Sequence, residues 1–230
     1  MKVLLMRHGQ SANNPLEAAA DYAQRRQPDP PLTALGQRQA EKAATALATA
    51  GWVGAPVTRL FSSLTLRAAQ TAAPLAAALD LPVEGAALAY ECGGLTTGPA
   101  GGFAAVPGRE YASLRAECPA LLWPAELQGQ RWDGGAEAWA AAAFASRAAQ
   151  VAELLRRSAA EGSGLTVLVT HHDFAQFLLA DLLGLPQPDV TEPIFRLHNA
   201  SLTLLELWPS GATLSYADRV DYLPLAERTY

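Results

Sequence analysis

The chain has 230 residues, half of them hydrophobic and 17% charged, with a formal net charge of -5. That is length for one domain with a sizeable core, and it gives no basic footprint for nucleic acid or an anionic membrane. No apolar run is long enough to span a bilayer, no signal peptide is recognisable, and Cys92 and Cys118 form neither a disulfide framework nor a metal spacing, so a cytoplasmic setting is expected.

Strand and helix signals alternate in the outer thirds. Lys2–Met6 reads as a short buried strand stopped by Arg7, His8 and Gly9. A polar, proline-rich loop leads to "LTALGQRQAEKAATALATAG", an amphipathic helix with Thr33 as N-cap and Gly51 as stop. "VTRLFSS" predicts a second strand, and "LTLRAAQTAAPLAAALDL" a second helix, interrupted or kinked near Pro74. Further on, "AEAWAAAAFASRAAQVAELLRRSAAEG" reads as a long helix, "LTVLVTHH" as a third strand, and "DFAQFLLADLLG" as a helix stopped by Gly184. "LTLLELW" and "ATLSYADRV" predict a hairpin joined near Pro209–Gly211. The alternation argues for an α/β three-layer sandwich, a mostly parallel central sheet with helices on both faces. Residues 1–230 read as a single domain with a lid-like insertion at about 92–135, where glycine and proline abound and no period holds, and which is expected to carry loops and short helices.

His8 and His171 each follow an apolar strand and precede a turn, which in an open parallel sheet is the edge where ligands bind. Arg7 adjoins His8, and Arg67 lies in the first turns of the helix after the second strand. Taken singly, each histidine reads as an ordinary hydrogen-bonded residue and Arg67 as a solvated one. Their co-occurrence at corresponding strand ends is what suggests chemistry: guanidinium groups neutralise a phosphoryl group, and an imidazole can attack phosphorus.

"LLMRHGQSANN" resembles the opening of the histidine phosphatase superfamily, the phosphoglycerate mutase-like proteins, whose signature is Arg-His-Gly at the end of the first strand. "DPPLTALGQRQA", "SSLTLRAAQTA", "VLVTHHDF" and "HNASLTLLEL" resemble later segments of that family, in family order. The resemblance implies that His8 is the nucleophile and becomes a phosphohistidine, while Arg7, Arg67 and His171 hold the phosphoryl oxygens. It implies Asn14 as a further phosphate-binding or nucleophile-orienting donor, and Glu91, in "LAYECGGL", as the general acid for the leaving oxygen. No metal and no other cofactor is required, since the arginines supply the positive charge.

His172 stands where the family usually has glycine; it either adds a donor at that helix start or points to solvent, the second being the expectation. Arg25 and Arg26, in a loop longer than in many members, either meet a second anionic group of a substrate or stay solvated. The leading expectation is a metal-independent phosphatase acting on small phosphorylated metabolites, with neither nucleic acid nor membrane as partner and a homodimer left open. A mutase is the nearest alternative; the insertion lacks the mutase-type "ERHYG" segment, which favours hydrolysis. A non-catalytic binding module on the same fold, and a metallohydrolase using the four histidines, are further alternatives.

Overall fold

Leu4 and Met6 of the first strand pack into one hydrophobic cluster while Val3 and Leu5 pack into another, so this strand is apolar on both faces and must lie between two layers. The computed structural model describes residues 1–49, 54–98, 102–161, 164–189, 192–208 and 211–230. Its central sheet is built from β1 (Lys2–Arg7), β2 (Val57–Ser63), β3 (Val83–Ala86), β6 (Leu121–Leu122), β7 (Leu165–Thr170), β8 (Leu202–Trp208) and β9 (Gly211–Arg219). The strand order is β6-β3-β2-β7-β1-β8-β9, parallel from β6 to β1 and antiparallel across β8 and β9. A separate small ribbon pairs β4 (Thr96–Thr97) with β5 (Ala104–Ala105).

Helices α2 (Ala34–Ala48) and α3 (Leu66–Leu79) bury Ala43, Leu47, Ala72 and Leu75 against the face carrying Leu4 and Met6. On the opposite face, α5 (Ala141–Glu161) and α6 (His172–Leu183) bury Phe144, Leu155, Phe174 and Leu178 with Val3 and Leu5. The expected three-layer α/β sandwich is therefore the observed one. Burial of each such leucine or phenylalanine contributes roughly 1.5–3 kcal/mol, which makes the two interlayer contacts the main source of stability. Among the described residues no helix is long and apolar enough to cross a membrane.

Several elements differ from expectation. Of the interruption or kink expected at Pro74, the interruption does not occur: α3 is one element, and the lost i→i-4 bond is outweighed by the buried stripe of Ala68, Ala69, Ala72, Leu75 and Ala76. Helix α5 begins at Ala141 rather than near Ala136, because Glu137 is engaged elsewhere, accepting from the Gly93 amide at 3.0 Å and from Arg147 at 2.7 Å. Strand β3, "VEGA", is too short and polar to have been read from its pattern; Glu84 sits there because Arg59 on β2 pairs with it at 2.7 Å. The 92–135 segment carries a short helix as expected, α4 (Tyr111–Glu117), but it also holds strands that its composition hid: the β4–β5 ribbon, and β6 as the edge strand of the main sheet. In the long loop after β1, residues Tyr22–Arg25 form one helical turn, α1. Thr33 caps α2 as expected, its hydroxyl accepting from Gly36 N at 3.0 Å, whereas Gly51 lies outside the described residues. Gly184 ends α6 with φ 65°, a left-handed cap.

Candidate active site

Strands β1 and β7 pair in parallel with Arg7 opposite Thr170, so the next residue on each, His8 and His171, emerges at the same sheet edge. The His8 amide donates to Thr170 O at 3.0 Å, and the two imidazoles meet edge to face with centroids 5.2 Å apart. Arg67, on the first turn of α3, places its guanidinium between them. Its Nε donates to His8 Nε2 at 3.0 Å and its Nη2 to His171 Nδ1 at 3.0 Å.

These contacts fix both tautomers. His8 Nδ1 lies 2.7 Å from Gly9 O, which only accepts, so Nδ1 carries the hydrogen and Nε2 is the lone pair facing Arg67. Arg67 only donates, so His171 Nδ1 is the acceptor and its Nε2 hydrogen goes to Ser63 Oγ at 2.9 Å. Burial, reinforced by Arg67, pushes both imidazoles well below the ordinary histidine range, and they stay neutral at pH 7.

Arg7 donates from Nη1 to Leu197 O at 2.6 Å, while its buried Nε finds no partner among the described residues. Burial lowers the pKa of both arginines, and the strong hydrogen bonds they make go to a carbonyl and to imidazoles rather than to carboxylates. Two desolvated cations arranged this way form a site prepared for an anion.

Glu91 completes the wall. Its Oε1 accepts from the amides of Cys92 and Phe174, both at 2.9 Å, leaving Oε2 with one long contact, 3.4 Å from Asp173 N. Burial raises its pKa, with Asp173 adding to the effect and Arg67 opposing it. A proton on Glu91 therefore belongs on Oε2. Arg7, His8, Asn14, Arg67 and Glu91 line one cavity of about 440 Å³. His171 is fully buried behind Arg67 and is not part of that lining. Asn14 reaches the wall with its amide engaged: Oδ1 accepts from Ser11 N at 2.8 Å, and Nδ2 donates to Glu17 at 2.8 Å.

His172 does not point to solvent. It lines the same cavity, held between Asp173 at 2.7 Å and the Tyr230 hydroxyl at 3.2 Å. Gly9 is required by close approach rather than by a turn: a Cβ there would lie 2.5 Å from Gly36 O, on the first turn of α2. A larger groove of about 840 Å³, running from β3 to α5, contains none of these residues. Among the described residues no group of three His, Cys, Asp or Glu side chains is placed to hold a metal ion.

Sequence reasoning missed the residues that hold this site in place. Arg147 of α5, 4% exposed, is sandwiched between Tyr90 (3.7 Å) and Phe174 (4.1 Å) and donates to Leu88 O and Tyr90 O. With Glu137 it pins the strand-free segment that presents Glu91, and in sequence it looks like any helix arginine. Thr71 accepts from Gly9 N at 3.0 Å and donates to Arg67 O at 2.7 Å; its place four residues after Arg67 was the available signal. Asp29 accepts from Leu66 N at 2.9 Å and from Arg109 at 3.2 Å, tying the first turn of α3 to the insertion.

Known proteins agree with this architecture. The sequence profile of the histidine phosphatase superfamily (branch 1) matches residues 3–218, and the chain belongs to that superfamily. Phosphoserine phosphatase from Entamoeba histolytica, in complex with phosphoserine, superimposes with a TM-score of 0.62 at 19% identity, covering 97% of this chain and 99% of that one. Mycobacterial glucosyl-3-phosphoglycerate phosphatase does so with a TM-score of 0.61 at 25% identity, covering 95% and 99%. PE-PGRS family protein PE_PGRS11 of Mycobacterium tuberculosis is 45% identical over 76 residues, which is 33% of this chain and only 12% of that protein.

Proposed function

We propose that this protein is a phosphatase that hydrolyses small phosphomonoesters through a phosphohistidine on His8, without a metal. The observation that carries the reading is the neutral His8 Nε2 lone pair, fixed by the Gly9 carbonyl and set between two buried guanidinium groups. Superfamily membership and the phosphatases among its structural neighbours support hydrolysis as the reaction.

In this mechanism the phosphoryl group enters between Arg7 and Arg67 and takes over the Arg67 Nε hydrogen, which frees His8 Nε2. The lone pair attacks phosphorus in line; the N–P bond forms as the ester P–O bond breaks, and Glu91 Oε2 gives its proton to the leaving oxygen. The arginines stabilise charge on the equatorial oxygens. His171 orients Arg67 from behind and supports the phosphoryl site through it. Glu91, now ionised, then accepts a proton from water as that water attacks phosphorus. The P–N bond breaks, and neutral His8, protonated Glu91 and inorganic phosphate result.

The test is a panel of phosphorylated metabolites plus p-nitrophenyl phosphate, scored for both released phosphate and isomerised ester. Phosphate release that His8→Ala abolishes is the expected result. Isomerisation without net phosphate release would instead establish the mutase alternative.

A further inference from the structure

We propose that Arg26 forms a second anion site that selects phosphomonoesters carrying another negative group, a carboxylate or a further phosphate, on the leaving portion. This rests on the phosphatase reading and extends it to substrate class.

Arg25 and Arg26 are adjacent in sequence but not in environment. Arg25 points outward and pairs with Asp21 at 3.3 Å, both largely exposed. Arg26 closes the α1 turn, its amide bonded to Tyr22 O at 2.8 Å, and there the backbone turns extended, with φ -62° and ψ 143°. Its side chain then reaches the insertion. Nη2 donates to Thr96 Oγ1 at 2.8 Å, and the guanidinium lies 4.9 Å from the centre of the Phe103 ring. Nη1 is buried and has no hydrogen-bond partner among the described residues. Unpaired buried N–H groups on a cation are costly, and an anion is the partner that satisfies them best.

The position gives this unpaired group its meaning. Arg26 lines a cavity of about 680 Å³ whose inner wall is Arg67 and Glu91, the same residues that bound the phosphoryl site, and whose outer wall includes Phe103 and Trp139. Both aromatic side chains are more than half exposed, at 51% and 64%. A substrate with its phosphoryl group at His8 and its leaving oxygen at Glu91 extends into this cavity. A second anion on that portion meets Arg26, and the carbon frame between lies against the aromatic rim.

The experiment measures kcat/KM for matched pairs. 3-Phosphoglycerate is compared with its carboxyl methyl ester, and fructose 1,6-bisphosphate with fructose 6-phosphate. In the wild type at least one charged member should be favoured by about 10- to 100-fold over its partner, the worth of a charge-assisted hydrogen bond. Whichever pair shows that ratio identifies the second anion as carboxylate or phosphate. Arg26→Met should bring the ratio close to one, and Arg26→Lys should retain much of it. Ratios near one in the wild type for both pairs, or a ratio that survives Arg26→Met, overturn the proposal. If Arg26→Met does not fold, Arg26→Gln makes the same test of whether the wild-type ratio depends on this guanidinium. Hydrolysis of p-nitrophenyl phosphate, which has no second anion, reports on the phosphatase reading separately. If no ester turns over, calorimetric affinities of the same pairs give the same ratios.

Discussion

Replacing Glu91 by glutamine separates its chemistry from its structural role. Oε1 accepts from the Cys92 and Phe174 amides, and a glutamine carbonyl oxygen can accept both hydrogen bonds unchanged. The new amide nitrogen takes the Oε2 position, where the nearest backbone donor, Asp173 N, is 3.4 Å away, so the fold loses little. What disappears is the transferable proton. An alkoxide leaving from a sugar or glycerate phosphate needs that proton, and its loss should slow the step on the order of 10²–10⁴-fold. Nitrophenolate is a much weaker base and leaves largely unprotonated. Rapid-quench measurement of the phosphorylation step should therefore show a large deficit for alkyl phosphates and a small one for p-nitrophenyl phosphate. Arg67→Met, by contrast, should impair both, because the phosphoryl group is common to them. Equal slowing of the two substrates by Glu91→Gln would refute the assignment of Glu91 as leaving-group acid.

Gly36→Ala would ordinarily stabilise a helix by up to about 1 kcal/mol, but here the added Cβ falls 2.1 Å from Gln10 O, so backbone must move. We expect a destabilisation of about 1–3 kcal/mol in urea unfolding, and an unchanged or raised stability would show that the loop after His8 is not tightly docked. His8 and His171 have folded pKa values below their unfolded value, so the unfolded chain binds protons first as pH falls through about 6.5. The stability these neutral imidazoles contribute is complete above that pH and is lost on acidification, at about 1.4 kcal/mol per pH unit for each histidine. Subtracting the profile of His8→Gln from that of the wild type removes the opposing influence of Glu91 and Asp29, and a difference that does not grow from pH 7.5 to 5.5 would contradict the burial argument. Phosphatase activity should also persist in EDTA, and loss restored by added zinc or magnesium would require a different source of positive charge.

The sequence was most legible where one physical requirement dominates. Buried strands β1, β2 and β7 show as apolar runs because both faces are covered, and the residues directly after β1 and β7 could be placed at one edge from that alone. Arg67 was legible because it sits on the helix that follows β2. Short elements were not: β3 and β6 owe their existence to neighbouring strands and to the Arg59–Glu84 pair rather than to their own pattern. The supports of the site were equally hidden. Arg147 and Glu137 act on Glu91 from over forty positions away, through contacts that no local period encodes. His172 was misread because a polar residue at a helix start usually faces water, and here Asp173 and Tyr230 hold it against the cavity.

The central claim is that His8 Nε2 attacks phosphorus, and the direct measurement is to trap the enzyme during turnover of a ³²P-labelled ester and map the labelled peptide. The account predicts an acid-labile, base-stable phosphoryl group on His8 that forms at least as fast as turnover, and none in His8→Ala. Label on His171 instead, with His8→Ala still active, would contradict it.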